Sequence, residues 1–381
     1  MFGIALHPLV YCRFYQYKIM NKKKEDKSAA VVKENMSMTP NVNPDVLSKI
    51  GRRRRRKYNP DEFMEGIIKG NRTILSQAIT LVESSLPEHY ETAQAIIEKC
   101  LVHSSKSVRI AVTGVPGVGK STFIETFGMN IVSEGRKLAV LTIDPSSEQS
   151  KGSILGDKTR MEQLSTHPNA FIRPSPAAGT LGGVARKTRE TIILCEAAGF
   201  NNILIETVGV GQSETEVHSM VDFFLLLMLA GAGDELQGIK RGIMEMADLV
   251  AITKADGDNK IIADIASVSY QNALQLFPAK PSGWKPRVMT CSAKQDSGIR
   301  EIWDYIKEYL EFTAKSGYFE KLRKEQAIVR MHNTIAEYLQ YSFYNEAEVK
   351  SLRPEVEQLL YEGKITSYKA AFRLLDKYFK S

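Results

Sequence analysis

Short apolar runs alternate with stretches of helical periodicity through the middle of the chain, from about residue 107 to residue 312. Each apolar run has the length of a buried strand, and the alternation is typical of an α/β fold with a doubly wound, mostly parallel sheet. In such sheets, ligands bind at the carboxyl ends of the strands. The predicted strands are Val108–Val112, Leu138–Ile143, Ala170–Arg173, Ile203–Ile205, Phe223–Leu229, Leu249–Ile252 and Val288–Cys291.

Helical patterns flank this sheet on both sides. Asn59-Pro60-Asp61-Glu62 combines a capping Asn, a Pro at the first helical position and acids in the first turn, so it predicts a helix start. From Thr313 the strand signals stop, and an amphipathic helical arm follows that must cover either its own α/β domain or a second subunit. We therefore expect four parts: a basic arm without fixed structure (1–58), an N-terminal helical region (59–106), the α/β domain (107–312) and a C-terminal helical arm (313–381).

The positive charge of the chain is concentrated near its start. The chain has 381 residues and a net charge of +7, but residues 1–60 hold 14 Lys and Arg against four Asp and Glu, which leaves −3 for the rest. The run from Arg52 to Lys57 could bind nucleic acid, a membrane surface or an acidic partner. No aromatic residue interleaves with the run, which favours a solvated stretch over a base-stacking surface. We do not expect a nucleic-acid partner.

The cysteines and the apolar runs argue against several classes of protein, among them metal-cluster proteins, disulfide-rich proteins and membrane-spanning proteins. The four cysteines are scattered without a C-x-x-C pair, which argues against a zinc site, an iron–sulfur cluster or a disulfide framework. The strongest apolar run, Val221 to Ala232, is well short of the ~20 residues that cross a bilayer. The first twenty residues lack a small-residue cleavage site, which disfavours a secretory signal peptide. The acids Glu25 and Asp26 disfavour a mitochondrial transit peptide. We expect a cytoplasmic protein, with Met20 as an alternative start.

The segment after the first predicted strand has the form G-x-x-x-x-G-K-[ST]. A strand before it and a helix after it are the context in which this pattern forms a phosphate-binding loop. Backbone N–H groups converge on a β-phosphate, the Lys120 ammonium contacts the β- and γ-phosphates, and the Ser121 hydroxyl ligates Mg²⁺. The loop reads Gly114-Val115-Pro116-Gly117-Val118-Gly119-Lys120-Ser121-Thr122.

Acidic residues follow two further strands. Ile203-Leu204-Ile205-Glu206 is a Walker B arrangement, whose acid holds Mg²⁺ directly or through water. Asp144 ends the second strand, and Asp157 lies in a glycine-punctuated loop that suits a segment ordered by metal and phosphate. Gln212, after the Walker B glycines, is the candidate by position for orienting the attacking water.

Two further loops predict guanine recognition. The strand at Leu249–Ile252 ends in Thr253-Lys254-Ala255-Asp256, which matches the [NT]-K-x-D motif of G proteins. The Asp256 carboxylate accepts two hydrogen bonds from guanine, a donor pair that adenine lacks, and the Lys254 stem lies along the base. The last strand is followed by Ser292-Ala293-Lys294, the S-A-K loop that touches the guanine O6.

Taken together, these motifs resemble one family of P-loop G proteins, the MeaB-type GTPase chaperones associated with methylmalonyl-CoA mutase, also labelled ArgK or LAO/AO transport ATPase. The resemblance runs from about Asp61 to the C-terminus. The family-specific pieces, besides the phosphate loop, are Asp144-Pro145-Ser146-Ser147, Ser153 to Met161, Glu206 to Glu214 and Ala230 to Lys240. Thr253 stands where Asn is more usual, so we expect altered nucleotide affinity.

The resemblance implies a GTPase that binds GTP, GDP and Mg²⁺ and gates adenosylcobalamin loading and repair in a mutase partner. Asp144, Asp157 and Glu206 would surround Mg²⁺ together with Ser121. Lys240 would stabilise charge in the transition state once the mutase is bound. The C-terminal helices would form a homodimer.

Two other functions remain open on the sequence. One is a kinase that phosphorylates a transport component or a small molecule, as the older family label suggests. It would need an acceptor pocket and a base near the γ-phosphate. The other is a GTPase that acts on nucleic acid through the run from Arg52 to Lys57.

Overall fold

The computed structural model describes residues 58–84, 86–104, 107–144, 161–176, 181–207, 213–230 and 241–380. The expected N-terminal arm, with its run of arginines, lies outside this part of the chain apart from Tyr58. The helix start predicted at Asn59 is present. Asn59 Oδ1 accepts a 2.8 Å hydrogen bond from the Glu62 N–H, and the Glu62 carboxylate accepts one of 2.9 Å from the Asn59 N–H. This reciprocal cap satisfies two N–H groups that the first helical turn would otherwise leave unpaired.

The centre of the molecule is a seven-stranded sheet in the order β3-β2-β4-β1-β5-β6-β7, in which every neighbouring pair is parallel. All seven predicted strands are present, and the sheet is more uniformly parallel than predicted. The last strand ends at Thr290, so Cys291 belongs to the loop that follows. The strands are β1 (Val108–Gly114), β2 (Leu138–Asp144), β3 (Ala170–Pro176), β4 (Asn202–Thr207), β5 (Phe223–Leu229), β6 (Leu249–Thr253) and β7 (Arg287–Thr290).

Helices cover both faces of the sheet, as the continuous burial of its central strands requires. Successive residues of β5 illustrate this, because Phe223 and Leu225 belong to one apolar cluster and Phe224 and Leu226 to the other. One cluster includes helices α1 (Pro60–Ile68), α2 (Arg72–Glu83), α3 (Pro87–Leu101), α6 (Leu181–Ala197), α7 (Ser213–His218), α8 (Arg241–Met246) and α9 (Asn259–Leu274). The other includes α4 (Lys120–Ser133), α5 (Glu162–Thr166) and α10 (Ile299–Lys315).

The C-terminal arm consists of α11 (Tyr318–Asn345), α12 (Ala347–Tyr361) and α13 (Ser367–Lys380). No residue of the 28-residue α11 is fully buried in the single chain. Its large apolar side chains lie exposed along the helix at Ile328, Val329, Met331, Ile335, Tyr338, Leu339, Tyr341 and Tyr344. A helix with this exposed stripe has more apolar surface than its own chain covers.

Among the described residues, no helix is both long and apolar enough to cross a bilayer.

The position of β1 in the strand order determines where a ligand can bind. From β1 the chain passes to β2 and the edge strand β3, returns to β4 beside β1, and then continues to β5 on the other side of β1. The carboxyl ends of β1 and β4 therefore flank the crevice in which doubly wound sheets bind ligands.

Candidate nucleotide site

The turn between β1 and α4 has the backbone that a phosphate-binding loop requires. Gly119, immediately before α4, has a φ of 94°, a left-handed conformation that favours glycine. A side chain at Gly114 would place its Cβ only 2.5 Å from the main-chain oxygen of Leu227 in β5. Only glycine therefore allows β1 and β5 to approach this closely at the start of the loop. The turn directs the N-terminus of α4 at the carboxyl edge of the sheet.

Lys120 lies folded back over this loop. Its ammonium donates hydrogen bonds of 2.8 Å to the Gly114 carbonyl and 3.2 Å to the Val115 carbonyl. Burial lowers the pKa of Lys120, and the nearby carboxylates of Glu206 and Glu214 oppose that shift. The ammonium is thus held at the mouth of the loop, where phosphate oxygens would be stronger acceptors than the two carbonyls.

Ser121 and Glu206 meet across the sheet edge. The Ser121 hydroxyl donates a 3.4 Å hydrogen bond to the Glu206 carboxylate, which is nearly buried at the end of β4. Hydroxyl and carboxylate oxygens are the donor set that Mg²⁺ prefers. The part of the chain with defined positions contains no group of three or more His, Cys, Asp or Glu arranged to hold a metal. The two oxygens alone fit a magnesium site that phosphate and water oxygens would complete.

Several predicted residues contribute no side-chain geometry here. Asp144 ends β2, whose Thr142 is in register with Glu206 of β4, but its side chain is not described. Asp157, Gln212 and Lys240 lie outside the described residues. Their predicted roles stay predictions.

The loop after β6 is attached directly to the phosphate loop. The Thr253 hydroxyl donates a 2.7 Å hydrogen bond to the Val118 carbonyl, and the Lys254 ammonium donates one of 2.9 Å to the Gly117 carbonyl. Lys254 has a φ of 58°, so the chain turns sharply there. The Asn259 side chain donates a 2.7 Å hydrogen bond to the Lys254 carbonyl and supports that turn.

Asp256 and the loop after β7 are joined by a short hydrogen bond that the Ser292 hydroxyl donates to the Asp256 carboxylate. This contact orients the carboxylate and leaves its other oxygen available to accept a hydrogen bond from a base. Lys294 is exposed beside it. The Ala293 carbonyl accepts a 3.0 Å hydrogen bond from Thr126 of α4, which attaches this second loop to the helix behind the phosphate loop.

Two contributions were not predicted from the sequence. The first is the attachment of the loop after β7 to α4, through Thr126 and through a 2.9 Å hydrogen bond from Asn130 to the Asp296 carboxylate. The second is Glu214, a buried acid of α7 whose charge acts on Lys120. Glu214 ends the family-specific segment that begins at Glu206, but that segment assigns it no contact, and both contributions depend on which elements the sheet order makes neighbours.

The structure thus brings the phosphate loop, the Ser121–Glu206 pair and the predicted base residues Lys254, Asp256 and Ser292 to one edge of the sheet. The loops after β6 and β7 meet at Asp256, and both are attached to the loop and helix that follow β1. An acceptor carboxylate at one end and a lysine with main-chain N–H groups at the other suit a nucleoside with a polyphosphate.

Comparisons with known proteins agree with this geometry. The family model described as "Methylmalonyl Co-A mutase-associated GTPase MeaB" matches residues 75–348. GTPase ArgK of Escherichia coli is 47% identical over 286 residues, covering 75% of this chain and 86% of the relative. A mouse protein named methylmalonic aciduria type A homolog, mitochondrial, is 45% identical over 331 residues, covering 84% of this chain and 80% of the relative.

A solved structure shares the fold over most of the chain. The crystal structure named LAO/AO transport system kinase is 34% identical and superposes with a TM-score of 0.67. The match covers 86% of this chain and all of the other.

Proposed function

The chain belongs to the MeaB family of methylmalonyl-CoA mutase-associated GTPases and is itself a GTPase, and from this premise we propose that it is a chaperone of a cobalamin-dependent acyl-CoA mutase. GTP binding and hydrolysis would gate the loading, protection and reactivation of adenosylcobalamin in methylmalonyl-CoA mutase or a related enzyme. The observation that carries the proposal is the family match over residues 75–348, which includes the whole sheet and the start of the arm. The 45% identity to the mouse methylmalonic aciduria protein supports it.

Within this function, the residues at the sheet edge would divide into a phosphate side and a base side. Lys120 would leave the Gly114 carbonyl to bind the β- and γ-phosphates. Ser121, Glu206, Asp144 and Asp157 would hold Mg²⁺, which would neutralise phosphate charge. The base would lie against Lys254 and Asp256, with Thr253 and the Ser292-Ala293-Lys294 loop completing the pocket.

We propose that hydrolysis is slow in the isolated chain and faster in complex with the mutase. Gln212 is the candidate for orienting water, and Lys240 for stabilising charge that develops on the transferred phosphate. Both flank described helices, Gln212 before α7 and Lys240 before α8. A partner that fixes these two positions would complete the site.

The exposed apolar stripe of α11 supports a homodimer formed through the arm. A stripe that includes Ile328, Ile335 and Leu339 would be removed from solvent when a second copy covers it.

For the cellular location we propose the cytoplasm, a reducing compartment compatible with the free thiols of Cys100 and Cys195.

The decisive experiment compares GTP hydrolysis by the purified chain with and without purified methylmalonyl-CoA mutase. We expect the mutase to raise the rate at least about tenfold, because it completes a site that positions charge and water. Lys240→Met would remove most of that stimulation, whereas Lys260→Met, an exposed lysine of α9, would keep it. If the chain alone hydrolysed GTP as fast as it does with the mutase, the proposed gating by the partner would be contradicted.

Capture from a lysate followed by mass spectrometry would identify which mutase is the partner.

A second candidate, a kinase, is favoured by the name of the LAO/AO transport system kinase structure. It predicts transfer of the labelled γ-phosphate from GTP to a protein or metabolite. We expect release of inorganic phosphate with no labelled acceptor. A labelled acceptor that depends on Lys120 would favour the kinase.

A further inference from the structure

Beneath the phosphate loop, two hydroxyls and a carboxylate form a buried chain that crosses three elements. The Thr207 hydroxyl at the end of β4 donates a 2.7 Å hydrogen bond to the Thr113 hydroxyl of β1. The Thr113 hydroxyl in turn donates a 3.5 Å hydrogen bond to the Glu214 carboxylate of α7. Thr207 and Glu214 are 0% exposed and Thr113 is 1% exposed. We call these three residues the buried clasp.

Glu214 differs from other buried acids of the described chain. Arg323 bonds Asp222, Arg109 bonds Glu196, and each arginine contributes two hydrogen bonds. Among the described residues, Glu214 instead accepts a single 3.5 Å hydrogen bond from the Thr113 hydroxyl, and its Oε2 atom has no hydrogen-bond partner. The charge that it interacts with is the Lys120 ammonium of the phosphate loop, not an arginine that bonds to it directly. A fully buried carboxylate with so few hydrogen bonds costs stability, and its presence calls for an explanation other than stability.

Two members of the clasp, Thr113 and Thr207, each lie one residue away from one half of the proposed nucleotide site. Thr113 precedes Gly114, whose carbonyl holds the Lys120 ammonium at 2.8 Å. Thr207 follows Glu206, whose carboxylate meets the Ser121 hydroxyl. The clasp therefore adds a side-chain hydrogen bond between the ends of β1 and β4, just beyond the last main-chain pair of Val112 with Glu206. It also links α7 to the end of β1.

We propose that Glu214 is a positioning residue for GTP hydrolysis, acting through the Thr113 and Thr207 hydroxyls on the first residue of the phosphate loop and on the end of β4. None of the three side chains belongs to the set that would contact the nucleotide. Their loss would shift the spacing between the Lys120 side and the Glu206 side of the site. This inference rests on the nucleotide site proposed above.

This positioning role predicts that loss of the clasp slows GTP turnover much more than it weakens nucleotide binding. Small errors of position slow chemistry strongly, because reacting groups must meet within a narrow range of distance and angle. Ground-state binding is shared among many contacts, including Thr253, Lys254 and Asp256, which the clasp does not touch. Breaking the clasp therefore lowers kcat and leaves KM and GDP affinity nearly unchanged.

The experiment uses two matched pairs of substitutions in the full chain, with intrinsic GTP hydrolysis and GDP binding as readouts. Thr113→Val and Glu214→Met remove the hydroxyl donor and the carboxylate acceptor at nearly constant volume. We expect each to lower kcat about tenfold and to leave KM and the GDP dissociation constant within about threefold. Thr113→Ser and Glu214→Gln keep a donor and an acceptor, and we expect their kcat within about threefold of wild type.

The double variant Thr113→Val/Glu214→Met shows whether the two single substitutions lower kcat by breaking one shared hydrogen bond or through two independent defects. Because both changes break the same chain, we expect its kcat to be no lower than that of the worse single variant. Thr215→Ala, on the exposed side of α7, is the control and keeps the wild-type rate.

The proposal is overturned if Thr113→Val and Thr113→Ser have equal kcat, or if the losses multiply in the double variant. It is also overturned if kcat and GDP affinity fall together, since that is what simple destabilisation produces. A wild-type chain that binds no guanine nucleotide would instead overturn the proposed function, and this inference with it.

Discussion

The hydroxyl of Thr253 donates a 2.7 Å hydrogen bond to the main-chain oxygen of Val118, and this bond joins the loop after β6 to the phosphate loop. Asn is more usual at this position. The Thr253 hydroxyl also makes a second contact of 3.2 Å, to the Met228 carbonyl. The threonine side chain is therefore long enough to connect the two loops.

Thr253→Val tests the importance of that connection. The substitution keeps the shape of the side chain but leaves the buried Val118 carbonyl without its donor, which costs about 1–3 kcal/mol. We expect GDP affinity to fall about tenfold, measured by titration calorimetry. Thr253→Asn restores a donor and should bind GDP within about threefold of wild type. Unchanged affinity in Thr253→Val would mean that the bond does not hold the two loops in register.

Asp256→Asn tests the choice of base. An amide at this position offers a donor where guanine also presents donors, whereas xanthine presents an acceptor. We expect GTP affinity to fall at least about 100-fold and xanthosine triphosphate to become the preferred nucleotide, measured by competition against a fluorescent nucleotide. Asp258→Asn, an exposed acid of the same loop, should change neither affinity. Retained preference for GTP would refute the assignment of Asp256 to the base site.

Local patterns were enough to predict the architecture. Every strand of the sheet contains an apolar run that the sequence shows, and Asn59 with Glu62 forms the cap that its spacing predicts. The predicted nucleotide motifs lie close together because each follows a strand, and parallel strands place their carboxyl ends at one edge. Thr253, Asp256 and Ser292 therefore meet, although the chain separates Asp256 from Ser292 by 36 residues.

Contacts that depend on the order of strands could not be predicted in this way. The pairing of Thr113 with Thr207 requires β4 to lie beside β1, although β2 and β3 intervene along the chain. Glu214 is buried only because α7 packs beneath that pair of strands. A single sequence gives the residue types at these positions, but their neighbours follow from the topology.

Arg323→Met tests how the arm is attached to the α/β domain. Arg323 of α11 donates hydrogen bonds of 2.5 and 2.6 Å to Asp222, which is buried beside the start of β5, and one of 2.8 Å to the Ser107 carbonyl. Removing the arginine leaves the Asp222 carboxylate buried without its main charge partner. We expect the free energy of unfolding in urea to fall by about 3–5 kcal/mol.

Lys324→Met is the matched control, since it removes an exposed positive charge from the same turn of α11. Its free energy of unfolding should stay within about 0.5 kcal/mol of wild type. GDP affinity should be the same in both variants, because Asp222 lies at the amino end of β5, opposite the nucleotide edge. Equal stability of the two variants would show that the ion pair does not anchor the arm.

His218→Gln tests a pH dependence that α7 imposes on the fold. Burial lowers the pKa of the His218 imidazole, Asp248 opposes that shift, and Lys280 adds to it. Its ring contacts the Phe224 ring at a centroid distance of 5.6 Å, and Lys280 pairs with Asp248 at 3.3 Å. The folded chain therefore prefers the neutral imidazole, whereas the unfolded chain binds a proton near pH 6.5.

Because the folded pKa is the lower of the two, the contribution of His218 to stability is present above about pH 6.5 and is lost as the pH falls toward the folded pKa. We expect the free energy of unfolding of the wild type to fall more steeply between pH 7.5 and pH 5.5 than that of His218→Gln. The pKa values of Glu190 and Glu216 are raised by burial, so these groups act in the opposite direction. Both are present in the two proteins, so the difference between the curves isolates His218. Parallel curves would show that the imidazole does not titrate differently in the folded chain.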